Sequence, residues 1–141
     1  MKFIKAKAKH LRLGKKGENI ACRFLQTKNY NILFRNYKSS YGEIDIIARN
    51  GTILCFIEVK TRSFSKNSRD ERSTRITLKQ AKRIKKSASD YLYKLESPKL
   101  YCRFELIEIT TSPLRIISIH HWLDNFGMKI TPGGLTAKNA K

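Results

Sequence analysis

The stretch GEIDIIARNGTILCFIEVK, residues 42–60, decides how the rest of the chain is read. It holds two β-prone runs either side of Asn50-Gly51, a strong signal for a tight hairpin turn. Asp and Glu are poor strand residues. They seldom sit among aliphatic neighbours unless paired or bound to a cation, yet Glu43, Asp45 and Glu58 all do. Side chains alternate along a strand, so Glu43, Asp45 and Ile47 are expected on one face, with Ile44 and Ile46 on the other. The same rule groups Phe56, Glu58 and Lys60, with Ile57 and Val59 opposite. Folding the hairpin on its turn then brings Asp45 beside the Glu58 and Lys60 pair.

Working outward, the residues before the hairpin predict a helix that starts between Gly14 and Gly17. It has an apolar face of Ile20, Ala21, Phe24 and Leu25 and a stop at Asn29. Glu18 lies on the flank of that face, positioned to look toward a site at the edge of the core. Residues 30–37 predict a first strand, and 38–41 a turn. After the hairpin, residues 62–75 are polar and aperiodic and are expected to form a mobile loop. Thr77 and Gln80 match a capping box, opening a helix whose apolar stripe is Ile84, Ala88, Tyr91, Leu92 and Leu95. Residues 102–109 and 114–119 are two further strands. The order α-β-β-β-α-β-β predicts an α/β (α+β) fold, a mixed sheet flanked by helices. The expected divisions are a flexible basic arm over 1–13, one domain over 14–127 and a disordered tail over 128–141.

Composition narrows the function. The 141 residues carry 30 Lys and Arg against 11 Asp and Glu, a formal net charge of +19. Such an excess points to a polyanionic partner, nucleic acid above all. Seven basic residues and no acid occupy positions 1–17, and eleven basic residues against Asp70 and Glu71 occupy 60–86. Arg62, Lys79, Lys82, Arg83 and Lys86 are the candidate contacts to a phosphate backbone. The bland reading of the same charges is a solvated surface. Three well-separated cysteines fit neither a disulfide framework nor a zinc site and are expected as buried thiols. With no signal-peptide core and no apolar stretch of membrane-spanning length, the expected location is the cytoplasm, away from membranes.

Hydrolysis of a phosphodiester requires an activated water and stabilisation of charge on the phosphoryl and leaving oxygens. Mg²⁺ serves that chemistry and is typically held by one or two carboxylates plus water and substrate. Asp45 and Glu58 supply such a pair. Lys60 is placed to orient the water or meet the developing charge. The competing account is a buried ion-pair network. His10, His120 and His121 lack an acidic or Cys partner at ligand spacing; His121-Trp122 is expected to pack.

The Asp45 … Glu58-Val59-Lys60 pattern resembles the PD-(D/E)xK nuclease superfamily of the restriction-endonuclease-like fold, with Ile44 where the motif has Pro. The joint pattern is closer still to the YraN-like family of uncharacterised predicted nucleases. It comprises Gly14, Gly17, Glu18 and Ala21; Arg35-Asn36; GEIDIIA; FIEVKTR; Lys79; and Arg103-Phe104-Glu105, where that family usually has RFD. The resemblance implies a Mg²⁺- or Mn²⁺-dependent nuclease core acting on DNA, branched or damaged. In it Asp45 and Glu58 would be metal ligands, Lys60 the catalytic lysine and Glu43 an additional ligand. Glu18 falls where related archaeal Holliday-junction resolvases carry a helix glutamate. A two-fold dimer would suit cutting of both strands. The alternatives from other classes are a nucleic-acid-binding module that cleaves nothing and a basic RNA- or ribosome-associated protein.

Overall fold

The computed structural model describes residues 2–64, 76–96, 100–123, 128–131 and 134–137, the first few and last few by backbone only. The elements are α1 (Lys2–Thr27), β1 (Asn31–Ser39), β2 (Gly42–Asn50), β3 (Ile53–Ser63), α2 (Leu78–Leu95), β4 (Tyr101–Thr111), β5 (Ile116–Leu123), β6 (Met128–Thr131) and β7 (Gly134–Ala137). The order α-β-β-β-α-β-β is therefore observed, followed by a short terminal hairpin.

The strands β1, β2 and β3 form an antiparallel meander, and β3 then pairs parallel with β4 along its whole length. A parallel pair needs a crossover, which the segment containing α2 provides. β5 pairs with the second half of β4, and β6 meets its first half at Cys102↔Ile130. The sheet is thus mixed, as expected, with one helix on each face.

On one face α1 buries Ala21, Cys22 and Leu25 against Ile46, Ala48, Cys55, Ile57, Ile107 and Ile109. On the other, Ile84 and Ala88 of α2 pack on Tyr37, Ile44, Ile47, Leu54, Phe56, Cys102 and Phe104. The Phe56 and Phe104 rings stack 5.6 Å apart and are fully buried, each contributing roughly 1.5–3 kcal/mol by leaving water. The capping box forms as expected: Thr77 Oγ1 accepts from the Gln80 N–H at 3.1 Å and Gln80 Oε1 from the Thr77 N–H at 3.0 Å. Gly51 takes the left-handed conformation (φ 60°) that the hairpin turn requires. Cys22, Cys55 and Cys102 are buried free thiols.

Three expectations are corrected. The segment 1–13, expected as a flexible arm, is helical from Lys2 onward. Its Lys, Ala and Leu are strong helix formers, and extending a nucleated helix is far cheaper than starting one. The segment 128–141, expected to be unstructured, contributes β6 and β7, paired from Met128↔Ala137 to Thr131↔Gly134. Four-residue strands are too short to register as a periodic pattern.

The third correction concerns the strict alternation assigned to β2. Ile44 and Ile47 pack with α2, whereas Ile46 and Ala48 pack with α1. The faces exchange at Asp45, which lies opposite Asn36 in the β1–β2 register, between Tyr37↔Ile44 and Arg35↔Ile46. Asn36 has φ 53°, and a left-handed residue within a strand breaks the two-residue repeat. Ile44 therefore does not share the face of Ile46. In β3 the alternation holds as expected: Ile57 and Val59 pack with α1 and Phe56 turns to α2, while Glu58 and Lys60, of the same parity as Phe56 in a ladder without register shifts, line a pocket at the strand ends. Residues 65–75, the bulk of the expected loop, lie outside the described residues, as do 138–141.

Candidate metal centre

The β2–β3 ladder runs from Asn50↔Ile53 to Ile46↔Ile57 and stops there. Beyond that point, Asp45 Oδ2 accepts a 2.8 Å hydrogen bond from the Val59 N–H. A side-chain carboxylate thus replaces the backbone partner that β2 no longer offers. The N–H and C=O of a strand residue point to the same neighbour, so the Val59 carbonyl is also turned toward this gap. Glu58, adjoining Val59, is hydrogen-bonded to Asp45, and Lys60 Nζ lies 3.8 Å from Glu58 Oε1.

These groups open into a pocket of about 920 Å³ that is also lined by Glu18, Glu43, Asn19, Lys15, Arg35 and Asn36. α1 forms one of its walls because Gly17 lets the helix approach β3 very closely. A Cβ at Gly17 would sit 1.7 Å from Thr61 Oγ1. Thr61 Oγ1 is itself buried without a hydrogen-bond partner among the described residues. Glu18, the next residue, is thereby presented to the pocket and hydrogen-bonded by Asn36. Arg35 donates to Asn19 Oδ1 at 2.7 Å across the same wall.

The electrostatics are those of too much negative charge held too dry. Burial pushes the Asp45 carboxyl up, and the Val59 N–H and Glu58 only partly counter it. Glu58 is pushed up to about 8, first by burial and then by the Asp45 charge, with Lys60 pulling the other way. Burial also raises Glu18, helped by the charge of Asp45. Two carboxylates sharing a site without a neutralising cation retain a proton between them.

That donor set fits a hard divalent cation. Mg²⁺ takes one or two carboxylates and fills its remaining positions with water and substrate oxygens, and Asp45 and Glu58 are the pair at hand. Among the described residues, no group of three or more His, Cys, Asp or Glu side chains is close enough to hold a metal unaided. Glu43 accordingly lines the pocket as an exposed residue whose charge is felt by Asp45, Glu58 and Glu18, and Glu18 approaches from the helix.

The other expected contacts lie elsewhere. Lys79, Lys82, Arg83 and Lys86 are exposed on α2 and line no part of the pocket. Lys86 lies over the Tyr41 ring at 5.6 Å and the Arg83 stem lies against Gly42, so their half of α2 caps the β1–β2 turn. Arg62 is half-buried near the end of β3. Asn19, Arg35 and Asn36 were not singled out as site residues from sequence. The available signal was Asn, a residue tolerant of φ > 0, in the middle of a strand pattern.

A second polar cluster lies on the α1-covered face, beside Tyr30 and Ile107. Glu105, with no exposed surface, accepts from Tyr30 at 2.8 Å and from Arg103 Nε at 2.7 Å. Its second oxygen lies 3.0 Å from His121 Nε2, while His121 Nδ1 lies 3.2 Å from Lys28 Nζ. Burial pushes the Glu105 carboxyl up, yet the hydrogen bonds of His121, Tyr30 and Arg103 more than offset it and hold it below the ordinary range. The bland reading of His121 as a packing residue is extended by this: its ring packs edge-on to Phe24 and also completes a buried network.

The fold and pocket define a class: a mixed-sheet α+β domain with two carboxylates and a lysine converging where two strands separate. The chain belongs to the family described as "Uncharacterised protein family UPF0102", whose model matches residues 17–109. It is 40% identical over 119 residues to the UPF0102 protein of Chlorobium limicola, covering 81% of this chain and 91% of that one. It is 47% identical over 97 residues to the UPF0102 protein of Chlorobaculum tepidum, covering 69% and 74% respectively. A Thermotoga petrophila relative is 39% identical over 98 residues, covering 68% and 84%. No helix among the described residues is long and apolar enough to cross a membrane.

Proposed function

We propose that this protein is a metal-dependent nuclease acting on DNA, with Asp45 and Glu58 as the ligands of a Mg²⁺ or Mn²⁺ ion. The observation that carries this reading is the pair itself, two half-buried carboxylates set in the gap between β2 and β3 with Asp45 anchored on the Val59 N–H. A network kept for stability would satisfy its charges internally, as Glu105 does. When bound, the cation would supply Lewis-acid stabilisation of the phosphoryl oxygens and a more acidic bound water.

The chain's own residues do the rest. Asp45 is held in one orientation by its backbone hydrogen bond, so the ligand geometry is set before substrate arrives. Lys60, on the strand that carries Glu58, is placed to orient the attacking water or meet charge developing on the phosphate. Glu18 adds a third carboxylate from the helix side, able to accept a proton from a water in the pocket. Lys79, Lys82, Arg83 and Lys86 on α2, with Arg62 near the end of β3, act as phosphate contacts.

Purified wild type and the D45N, E58Q and K60A variants should be incubated with linear, flapped, four-way-branched and single-stranded DNA in Mg²⁺, Mn²⁺ or EDTA. Cleavage by wild type that EDTA and each substitution abolish is the expected result. Tight binding with no cut on any substrate would instead identify a binding module. Cleavage surviving in all three variants would place the chemistry elsewhere.

A further inference from the structure

A second groove, of about 580 Å³, adjoins the candidate centre and shares Lys15 and Asn19 with it. It runs between α1 and the turn joining β4 to β5, residues 113–116, and its basic lining is Arg12, Lys15, Lys16, Arg23 and Arg115. No acidic residue lines it. All five cations are exposed, and among the described residues none is in an ion pair with a carboxylate. Five unneutralised like charges along one trench repel one another, an arrangement that a bound polyanion relieves.

The periodicity is that of a surface built along a line. At 100° per residue, positions 12, 16, 19 and 23 fall within an arc of about 60° on α1. From Arg12 to Arg23 the helix rises about 16 Å, the axial length of roughly five nucleotide steps. Arg115 faces this row from the opposite bank. Both banks therefore offer donors to a strand lying between them, and the trench leads into the pocket holding Asp45 and Glu58.

We propose that this α1 groove carries the phosphodiester backbone of a nucleic acid to or from the candidate metal centre, as a binding surface distinct from the basic face of α2. The proposal rests on the nuclease reading for the direction of the strand, while the binding it asserts is measured separately from cleavage.

The test is binding of the full-length chain to fluorescent 20-base-pair duplex DNA, a four-way DNA junction and the matching duplex RNA, in EDTA so that no cutting intervenes. The R12Q/K16Q and R23Q/R115Q pairs should each weaken binding to at least one of these by on the order of 10-fold near 100 mM salt. Each should also reduce the slope of log affinity against log salt by about 2. A charge-matched control, R49Q/K94Q, removes two exposed cations that line neither groove nor pocket and should shift affinity less than threefold. As a readout needing no substitution, acetylation of Lys16 in wild type should slow several-fold when nucleic acid is added, with Lys94 unaffected.

Retained affinity in both groove pairs, an equal loss in the control, unprotected Lys16, or no binding of any nucleic acid by wild type would each overturn the groove. The DNA and RNA arms decide which backbone it takes. A protein that binds through the groove but never cuts overturns the nuclease reading alone; one that cuts with the groove pairs unimpaired overturns the groove alone.

Discussion

The sheet holds two carboxylate clusters that answer the same problem in opposite ways. Glu105 is surrounded by donors: Tyr30, Arg103 and His121 all reach it, and its carboxyl is held below the ordinary range. Asp45 and Glu58 have one backbone N–H, each other and a lysine at 3.8 Å, and both carboxyls are pushed up. A buried charge without enough partners takes a proton or recruits a cation. The first cluster is finished by the chain; the second is left for something else to finish. Ranking acids by burial alone would have chosen Glu105 as the functional one, and it is the count of donors around each that separates them.

The largest expected effect is on activity. D45N and E58Q should each reduce metal-dependent cleavage by about 10³-fold or more, equivalent to roughly 4 kcal/mol. In metal-free protein the same substitutions should leave thermal stability unchanged or raise it, since they remove a repulsive charge. A drop in Tm comparable to that of a Glu105 variant would break the comparison.

Next comes E105A, which strands Arg103 against an apolar core and should cost about 3–5 kcal/mol, measured by denaturant unfolding. Added Mg²⁺ should not restore it, whereas at ten times its Kd Mg²⁺ should stabilise wild type by about 1.4 kcal/mol and D45N hardly at all. Gly17→Ala follows at about 1–3 kcal/mol, because the new methyl overlaps Thr61.

The pH dependence should run in opposite directions for the two clusters. Glu58 titrates near 8 in the folded chain against an ordinary 4.5, so the folded state binds the extra proton. Metal-free stability should therefore be fullest below about pH 4.5 and decline toward pH 8, a decline absent in E58Q. Glu105, held low, contributes stability above its ordinary range that is lost as the pH falls through its folded value. Smallest of all, K28A removes one exposed hydrogen bond to His121 and should cost about 0.5–1 kcal/mol.

Much of this architecture is local and was readable as such. The Asn50-Gly51 turn, the Thr77 capping box, the order of elements and the convergence of Asp45, Glu58 and Lys60 all follow from residues a few positions apart, or from one hairpin. What escaped was either non-local or an exception to a repeat. The Glu105 network joins residues as far apart as Lys28 and His121, and no spacing rule reaches across 93 positions. The exchange of faces at Asp45 depends on a single left-handed Asn36 in the neighbouring strand, a feature that period-two reasoning averages away. The early start of α1 reflects propagation from a helix anchored downstream, and this placed the Arg12 charge in line with that of Lys16 on a fixed surface instead of on a free arm.

The hydrogen bond from Val59 to Asp45 gives the molecule an internal gauge. One amide proton, in the middle of the strand that carries Glu58 and Lys60, has its acceptor supplied by a titrating side chain instead of a peptide carbonyl. Its NMR chemical shift and its exchange with solvent should follow the charge on Asp45 directly. Protonation of that carboxylate, capture of a cation or arrival of a phosphate would each register there as a different displacement of a single resonance.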